Sequence, residues 1–153
     1  NFFEEEIRRL HNGRSFSVGI VICDVDELKT INDTLGHASG DQLLQSTAHL
    51  LREVFRSSDI VARIGGDEFA VLATGMDRSL IQERVQRLQE QVDQWNAGPS
   101  QMFLAISVGY AVSGPEPVDM EKLFKAADNR MYAQKRQKRT TVFRDEQGLE
   151  QDL

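Results

Sequence analysis

The chain has 153 residues, 40% of them apolar and 27% charged, and a formal net charge of −6 at pH 7. That is enough chain for one domain with a real core, at the composition of an ordinary soluble globular protein. The acidic balance argues against broad binding to nucleic acid or anionic membrane, no apolar run approaches the roughly 20 residues of a membrane span, no signal peptide opens the chain, and the single cysteine excludes an internal disulfide framework.

Residues 1–14 carry Phe3, Ile7 and Leu10 at helical spacing, with acids ahead of bases as the helix dipole favours. This amphipathic helix begins without a capping run, as expected of a piece of something longer. Phe16, Val18, Ile20 and Ile22 alternate with Ser17, Gly19, Val21 and Cys23. Both sets are mostly apolar or small, which predicts a central strand covered on both faces, with Cys23 a reduced core thiol. The strand ends in Asp24-Val25-Asp26. Carboxylates at the end of a buried strand are costly unless paired or metal-bound, and they suit a hard cation. The plain alternative is a strand that ends in polar loop residues.

Glu27 to Ala38 shows turn chemistry at Asn32-Asp33 and Gly36, and it gathers Lys29, Asn32, Asp33 and His37. A lone histidine there is more often a surface residue than a ligand. Ser39 to Phe55 predicts a strong helix, with Ser39 and Gln42 as a capping box. Leu43, Leu44, Thr47, Leu50, Leu51, Val54 and Phe55 form its apolar face. Asp41 falls in the expected first turn, where the dipole favours a carboxylate. Arg56-Ser57-Ser58-Asp59 closes the helix; an Arg–Asp pair at this spacing is ordinarily a weak surface ion pair.

Two β-type runs, Ile60 to Ile64 and Phe69 to Leu72, flank Gly65-Gly66-Asp67-Glu68. Adjacent glycines allow the positive φ values of a tight hairpin turn, which sets Asp67 and Glu68 at its tip. Alone, such a tip can equally be solvated loop. Asp77 is a plausible N-cap for a helix to Trp95, with Ile81, Val85, Leu88 and Val92 on its core stripe. Gly98-Pro99 breaks that helix, Met102 to Val112 predicts a strand, and Asp119 caps a helix with Met120, Leu123, Phe124, Ala127 and Met131 inward. A basic cluster follows, in which Lys135 and Arg139 share a face and can hold one polyphosphate. Thr140 to Phe143 reads as a last short strand, and 144–153 as a polar tail or linker start. The resulting order, strands interleaved with helices around a hairpin, predicts an α/β (α+β) domain over residues 1–143, with helices on a mixed sheet.

Gly65-Gly66-Asp67-Glu68-Phe69 spells the signature of the GGDEF family, the diguanylate cyclases, and the segment from Asp24 to Asp41 resembles the family's first-strand block. Ala127-Asp128 with Tyr132, Lys135 and Arg139 resembles its C-terminal block. The resemblance implies a five-stranded mixed sheet flanked by helices, akin to the polymerase palm and the class III nucleotide cyclases. It implies condensation of two GTP into cyclic di-GMP and two pyrophosphates at a homodimer interface. Two Mg2+ ions, replaceable by Mn2+, would sit on Asp24, the Val25 carbonyl and Asp67. Asp67, helped by Glu68, would deprotonate the 3′-hydroxyl, and Lys29 would neutralise transition-state charge. Lys135 and Arg139 would hold the β- and γ-phosphates, and Asn32, His37 and Asp41 the nucleoside. Arg56 and Asp59 fall where the family places its RxxD product-inhibition site, with Arg87 as a second-site partner. A cytoplasmic bacterial domain governed by an N-terminal sensory domain is implied, without nucleic-acid or membrane contact of its own. The competing function is a non-catalytic module that binds GTP or cyclic di-GMP. Departures from the pattern are Leu28 for the usual Phe, and Lys138-Arg139-Thr140 for the usual Gly-Arg-Asn, which is expected to reshape the turn after the phosphate-binding helix.

Overall fold

Strand β1 (Val18–Val25) has all eight residues buried and forms the middle of the sheet. β3 (Glu68–Thr74) and β4 (Ile106–Val112) flank it, and β2 (Ile60–Arg63) pairs with β3 at the edge. The order is β2-β3-β1-β4, and every adjacent pair is antiparallel. The structure, a computed structural model, describes Glu5 and residues 17–99, 102–114 and 118–151, with side chains as far as residue 139. Apart from Glu5, the helix expected over 1–14 lies outside the described residues.

Four helices complete the described fold: α1 (Leu28–Leu35), α2 (His37–Val54), α3 (Arg78–Ala97) and α4 (Met120–Gln151). The doubly apolar alternation of β1 has a direct cause. Val21, Cys23 and Val25 share one core with Leu43 and Leu51 of α2 and Ile81 and Leu88 of α3. Val18, Ile20 and Ile22 share the opposite core with Met120, Leu123, Ala127 and Met131 of α4. Each fully buried aliphatic side chain contributes about 1.5–3 kcal/mol. The end of β1 is therefore one of the firmest places in the molecule to mount a functional group. α4 lies so close to β4 that a Cβ on Gly109 would collide with the Ala127 carbonyl oxygen and the Met131 amide nitrogen. That close approach requires glycine.

The α/β class with flanking helices stands, but the four strands among the described residues pair antiparallel throughout, where a mixed five-stranded sheet was expected. Several local expectations are corrected. Residues 28–35 are helix rather than turn: Leu28 is buried and Ile31 packs on the core, and tertiary packing of this kind outweighs the turn preference of Asn32-Asp33. Gly36, at φ 92°, reverses the chain into α2, so that helix begins at His37 and Ser39 lies inside its first turn. The Ser39 hydroxyl donates to the Leu35 carbonyl at 3.2 Å, and no capping box forms. Asp41 consequently stands beyond the first turn of α2. β4 starts at Ile106; ahead of it the Asn96 carboxamide holds Leu104 through two 2.8 Å hydrogen bonds, taking the place of a strand partner. Residues 140–143 continue α4 instead of forming a strand, because the surrounding Lys, Arg and Gln are strong helix formers and no glycine stops the helix. The caps at Asp77 and Asp119 do form: Leu80 N–H donates to Asp77 Oδ1 at 2.8 Å and Lys122 N–H to Asp119 Oδ1 at 3.2 Å.

Candidate active site

Asp24 sits at the C-terminal end of β1 on the same face as Ile20 and Ile22, the face that α4 covers. It is 4% exposed and stands opposite Glu68 in the β1–β3 register. The Val25 amide donates to the Asp67 carbonyl oxygen at 2.9 Å, which ties the strand end to the hairpin. From α4, the Lys135 Nζ reaches Asp24 Oδ2 at 3.3 Å. Asp24 Oδ1 is buried and has no hydrogen-bond partner. Burial first, and the neighbouring Asp67 carboxylate second, push the Asp24 pKa up to about 6, against the opposing pull of Lys135. Glu68 is pushed up to about 7, by burial and then by Asp128, with which it shares a hydrogen bond. The strand end thus concentrates negative charge that has too little compensation.

Asp128 is a member of this cluster that sequence reasoning left without a role. The available signal was spacing: Asp128 and Lys135 are seven residues apart, two turns along one face of α4. Asp26 shares with Asp24 the reading as a strand-end carboxylate suited to a hard cation, and has no further role of its own in the sequence. It accepts from Ser107 Oγ at 2.8 Å and from Lys138 Nζ at 3.0 Å, and Lys138 also donates to the Ile106 carbonyl. These contacts fix the exit of β1 to β4 and α4. Cys23 is an inert core group, because burial pushes its thiol pKa well above the usual range.

The hairpin tip differs from expectation. Neither Gly65 nor Gly66 takes a positive φ. The turn is closed by Ile64 and Gly65 amides donating to the Glu68 carbonyl, at 2.9 and 3.3 Å. Arg63 clamps its back, Nε donating to Gly65 O at 3.1 Å and Nη2 to Gly66 O at 2.7 Å. A Cβ on Gly66 would meet nothing within 4 Å. The fold does not need glycine there; its absence of a side chain leaves bare backbone open to an incoming group.

Beside the hairpin lies a cleft of about 500 Å³ lined by Asp41, Leu44, Arg52, Val61, Arg63 and Phe69. Asp41 is exposed into it and, being past the first turn of α2, has lost the dipole explanation for its presence. Asn32 packs against Gly40, the residue before Asp41. Lys29 and His37 are exposed at the starts of α1 and α2, and Arg139 is exposed one turn beyond Lys135.

Arg56 and Asp59 lie elsewhere. Arg56 Nη2 donates to the Thr74 carbonyl at 2.6 Å, at the end of β3 remote from Glu68 and about 20 Å away at strand rise. The Asp59 side chain is fully buried and accepts three bonds from Arg56, at 2.8 Å from the backbone amide and at 3.3 and 2.9 Å from Nε and Nη2. The pair therefore shapes the α2–β2 loop rather than lying loose on the surface. We expect Arg56→Ala to lower stability by about 1–3 kcal/mol, since it strands hydrogen-bonded buried charge. Urea unfolding checks this, and an unchanged midpoint would refute it. Arg87 is exposed on α3.

Carboxylates at the end of the central strand, a lysine set against them and a cleft beside the hairpin make one candidate site on this antiparallel sheet. The chain belongs to the GGDEF family: the family model described as "Diguanylate cyclase, GGDEF domain" matches residues 1–141. It is 34% identical over 143 residues to the diguanylate cyclase DosC of Escherichia coli, covering 92% of this chain and 31% of that protein. It is 37% identical over 146 residues to the diguanylate cyclase TpbB of Pseudomonas aeruginosa, covering 90% of this chain and 33% of that protein. The solved GGDEF domain of that P. aeruginosa protein superposes with a TM-score of 0.76 at 31% identity, over 89% of this chain and 88% of the other. The chain thus spans about a third of the length of the curated relatives it matches. Among the described residues no helix is long and apolar enough to cross a membrane.

Proposed function

We propose that this domain is a diguanylate cyclase that joins two GTP into cyclic di-GMP and releases two pyrophosphates. The observation that carries the reading is Asp24: a buried carboxylate with one unpartnered oxygen, crowded by Asp67 and answered by one lysine. Such a carboxylate is costly in its charged form, and a cation at its open oxygen would offset that cost. Asp24, Asp67 and the Val25 carbonyl fit a hard divalent cation. No three His, Cys, Asp or Glu side chains among the described residues form a metal set of their own, so phosphate and water oxygens would complete the shell, as Mg2+ prefers and Mn2+ tolerates. Two such ions, when bound, supply Lewis-acid charge at the α-phosphate and the leaving pyrophosphate.

The chain's own residues do the rest. Asp67 accepts the 3′-hydroxyl proton. Glu68, with a pKa of about 7 beside Asp128, holds or releases a proton near neutrality and assists. Lys29 offsets charge at the reacting phosphate, while Lys135 and Arg139 hold the β- and γ-phosphates. The bare Gly65-Gly66 backbone lets the phosphates approach. Asn32, His37 and Asp41 contact the nucleoside, Asp41 accepting from guanine N1–H and N2–H₂, where adenine offers an acceptor at N1. Two GTP-loaded sites must face each other, so the active form is a homodimer. Arg56 and Asp59, with Arg87, form an inhibitory cyclic di-GMP site far enough from the signature to act without blocking it. An N-terminal sensory domain would set dimer geometry, on the cytoplasmic side where GTP is made.

A second reading has one observation in its favour. The chain is 33% identical over 119 residues to the cyclic di-GMP phosphodiesterase PdeR of E. coli, covering 77% of this chain and 18% of that protein. A GGDEF domain can thus stand within a protein named for the opposite reaction, as a module that binds GTP or cyclic di-GMP. Product analysis with GTP and Mg2+ across a wide range of protein concentrations separates the two. Cyclic di-GMP forming at a rate per protomer that climbs with concentration supports the cyclase. GTP binding without product, also in an artificially dimerised form, would leave the binding module.

A further inference from the structure

Gly40 is buried as the fourth residue of α2. Glycine is a poor helix former, and Gly40 does not use a positive φ, so neither helix geometry nor backbone conformation calls for it. The reason lies across the α1–α2 corner. A Cβ on Gly40 would run into Asn32 Oδ1, stand 2.9 Å from Asn32 Cγ and touch Leu28 Cδ1 at 3.3 Å. The space a side chain would fill is occupied by the Asn32 carboxamide. No hydrogen bond holds that oxygen: Asn32 Oδ1 is buried without a partner. Buried orphan acceptors are rare and recur at functional sites. Packing into the gap over Gly40 is thus what seats Asn32, next to the cleft that the adjacent Asp41 lines.

We infer that Gly40 is a positioning residue for nucleotide recognition, its missing side chain being the seat of the Asn32 carboxamide. This rests on the reading of Asn32 and Asp41 as nucleoside contacts. The colliding atoms are the far end of the Asn32 side chain, so a methyl group on Gly40 would move that carboxamide rather than the helices.

The test is a double-mutant cycle on the 153-residue chain. Guanosine 5′-[α,β-methylene]triphosphate and its adenosine counterpart are titrated calorimetrically, with Mg2+, into wild type, Asn32→Ala, Gly40→Ala and the double variant. Gly40→Ala should weaken guanosine binding about tenfold, as Asn32→Ala does. It should also narrow the preference for guanine over adenine, which a general loss of stability would not. The double variant should bind no more weakly than Asn32→Ala, and its Tm should exceed that of Gly40→Ala, because removing Asn32 removes the collision. Wild-type affinity in Gly40→Ala, or losses that multiply in the double variant, would overturn the inference. If Gly40→Ala does not fold, the double variant must; its failure too would overturn it. Should Asn32→Ala bind as wild type does, the nucleoside reading itself falls, and the Tm comparison alone then decides whether Gly40 seats Asn32.

Discussion

Asp24→Asn is expected to cut cyclic di-GMP formation on the order of a thousandfold, a loss typical of a removed electrostatic group, while leaving the ion-free domain as stable as wild type or more so at pH 8. The two effects have one cause. Asp24 is 4% exposed, its Oδ1 has no partner, and burial with the neighbouring Asp67 raises its pKa to about 6. At pH 8 the ion-free fold must keep this group charged against that cost. An amide of the same shape removes the cost together with the capacity to hold a cation. Lys135 loses an ion pair, but its side chain is 18% exposed and its ammonium can turn to water. Function and stability thus pull in opposite directions at one residue, as they often do in active sites. Chromatographic product assay and thermal melts in chelator check both halves. Wild-type turnover in the variant would sink the site assignment, and a Tm lowered by several degrees would sink the account of Asp24 as a strained group.

The second large effect is a coupling of stability, pH and cation. Asp24 and Glu68 have folded-state values of about 6 and about 7, above the ordinary carboxylate range. The folded chain therefore binds protons that the unfolded chain has already released. Their contribution to stability is complete below about pH 4 and is lost as pH rises through these raised values. In chelator, the Tm of wild type relative to an Asp24→Asn/Glu68→Gln variant should fall between pH 4 and pH 8. Saturating Mg2+ should raise the wild-type Tm at pH 8 by about 8 °C, the size expected at roughly a hundred times the dissociation constant. At pH 5 the ion must displace protons, and the shift should shrink or vanish. A cation effect of equal size at both pH values, or one retained by the double variant, would remove Asp24 from the cation site.

Much of the scaffold could be read directly from residue order. The double apolar alternation of β1 called for cover on both faces, and α2, α3 and α4 provide it. The inward faces of α3 and α4, the caps at Asp77 and Asp119, and the hairpin carrying Asp67 and Glu68 follow from local spacing, which each segment carries within itself. The boundaries were less legible. Asn32 and Asp33 are turn formers, yet they sit in α1 because Leu28 and Ile31 gain more by packing on the core. Ser39 and Gln42 spell a capping box that Gly36 makes redundant by turning the chain earlier.

The family resemblance carried by the signature and its flanking blocks grouped Asp24, Asp67, Glu68 and Lys135 as one site, which the residues read singly left open. Partnership among the rest was not legible. Asp128 meets Glu68, and Lys138 meets Asp26 across 112 positions, only because the close seat of α4 on Gly109 sets how that helix crosses the sheet. Asn32 reaches Gly40 only because a positive φ at Gly36 folds α1 back on α2. The periodicity of a segment states which face it buries; the angle at which two buried faces meet depends on every side chain between them, and that angle chose which charges became neighbours.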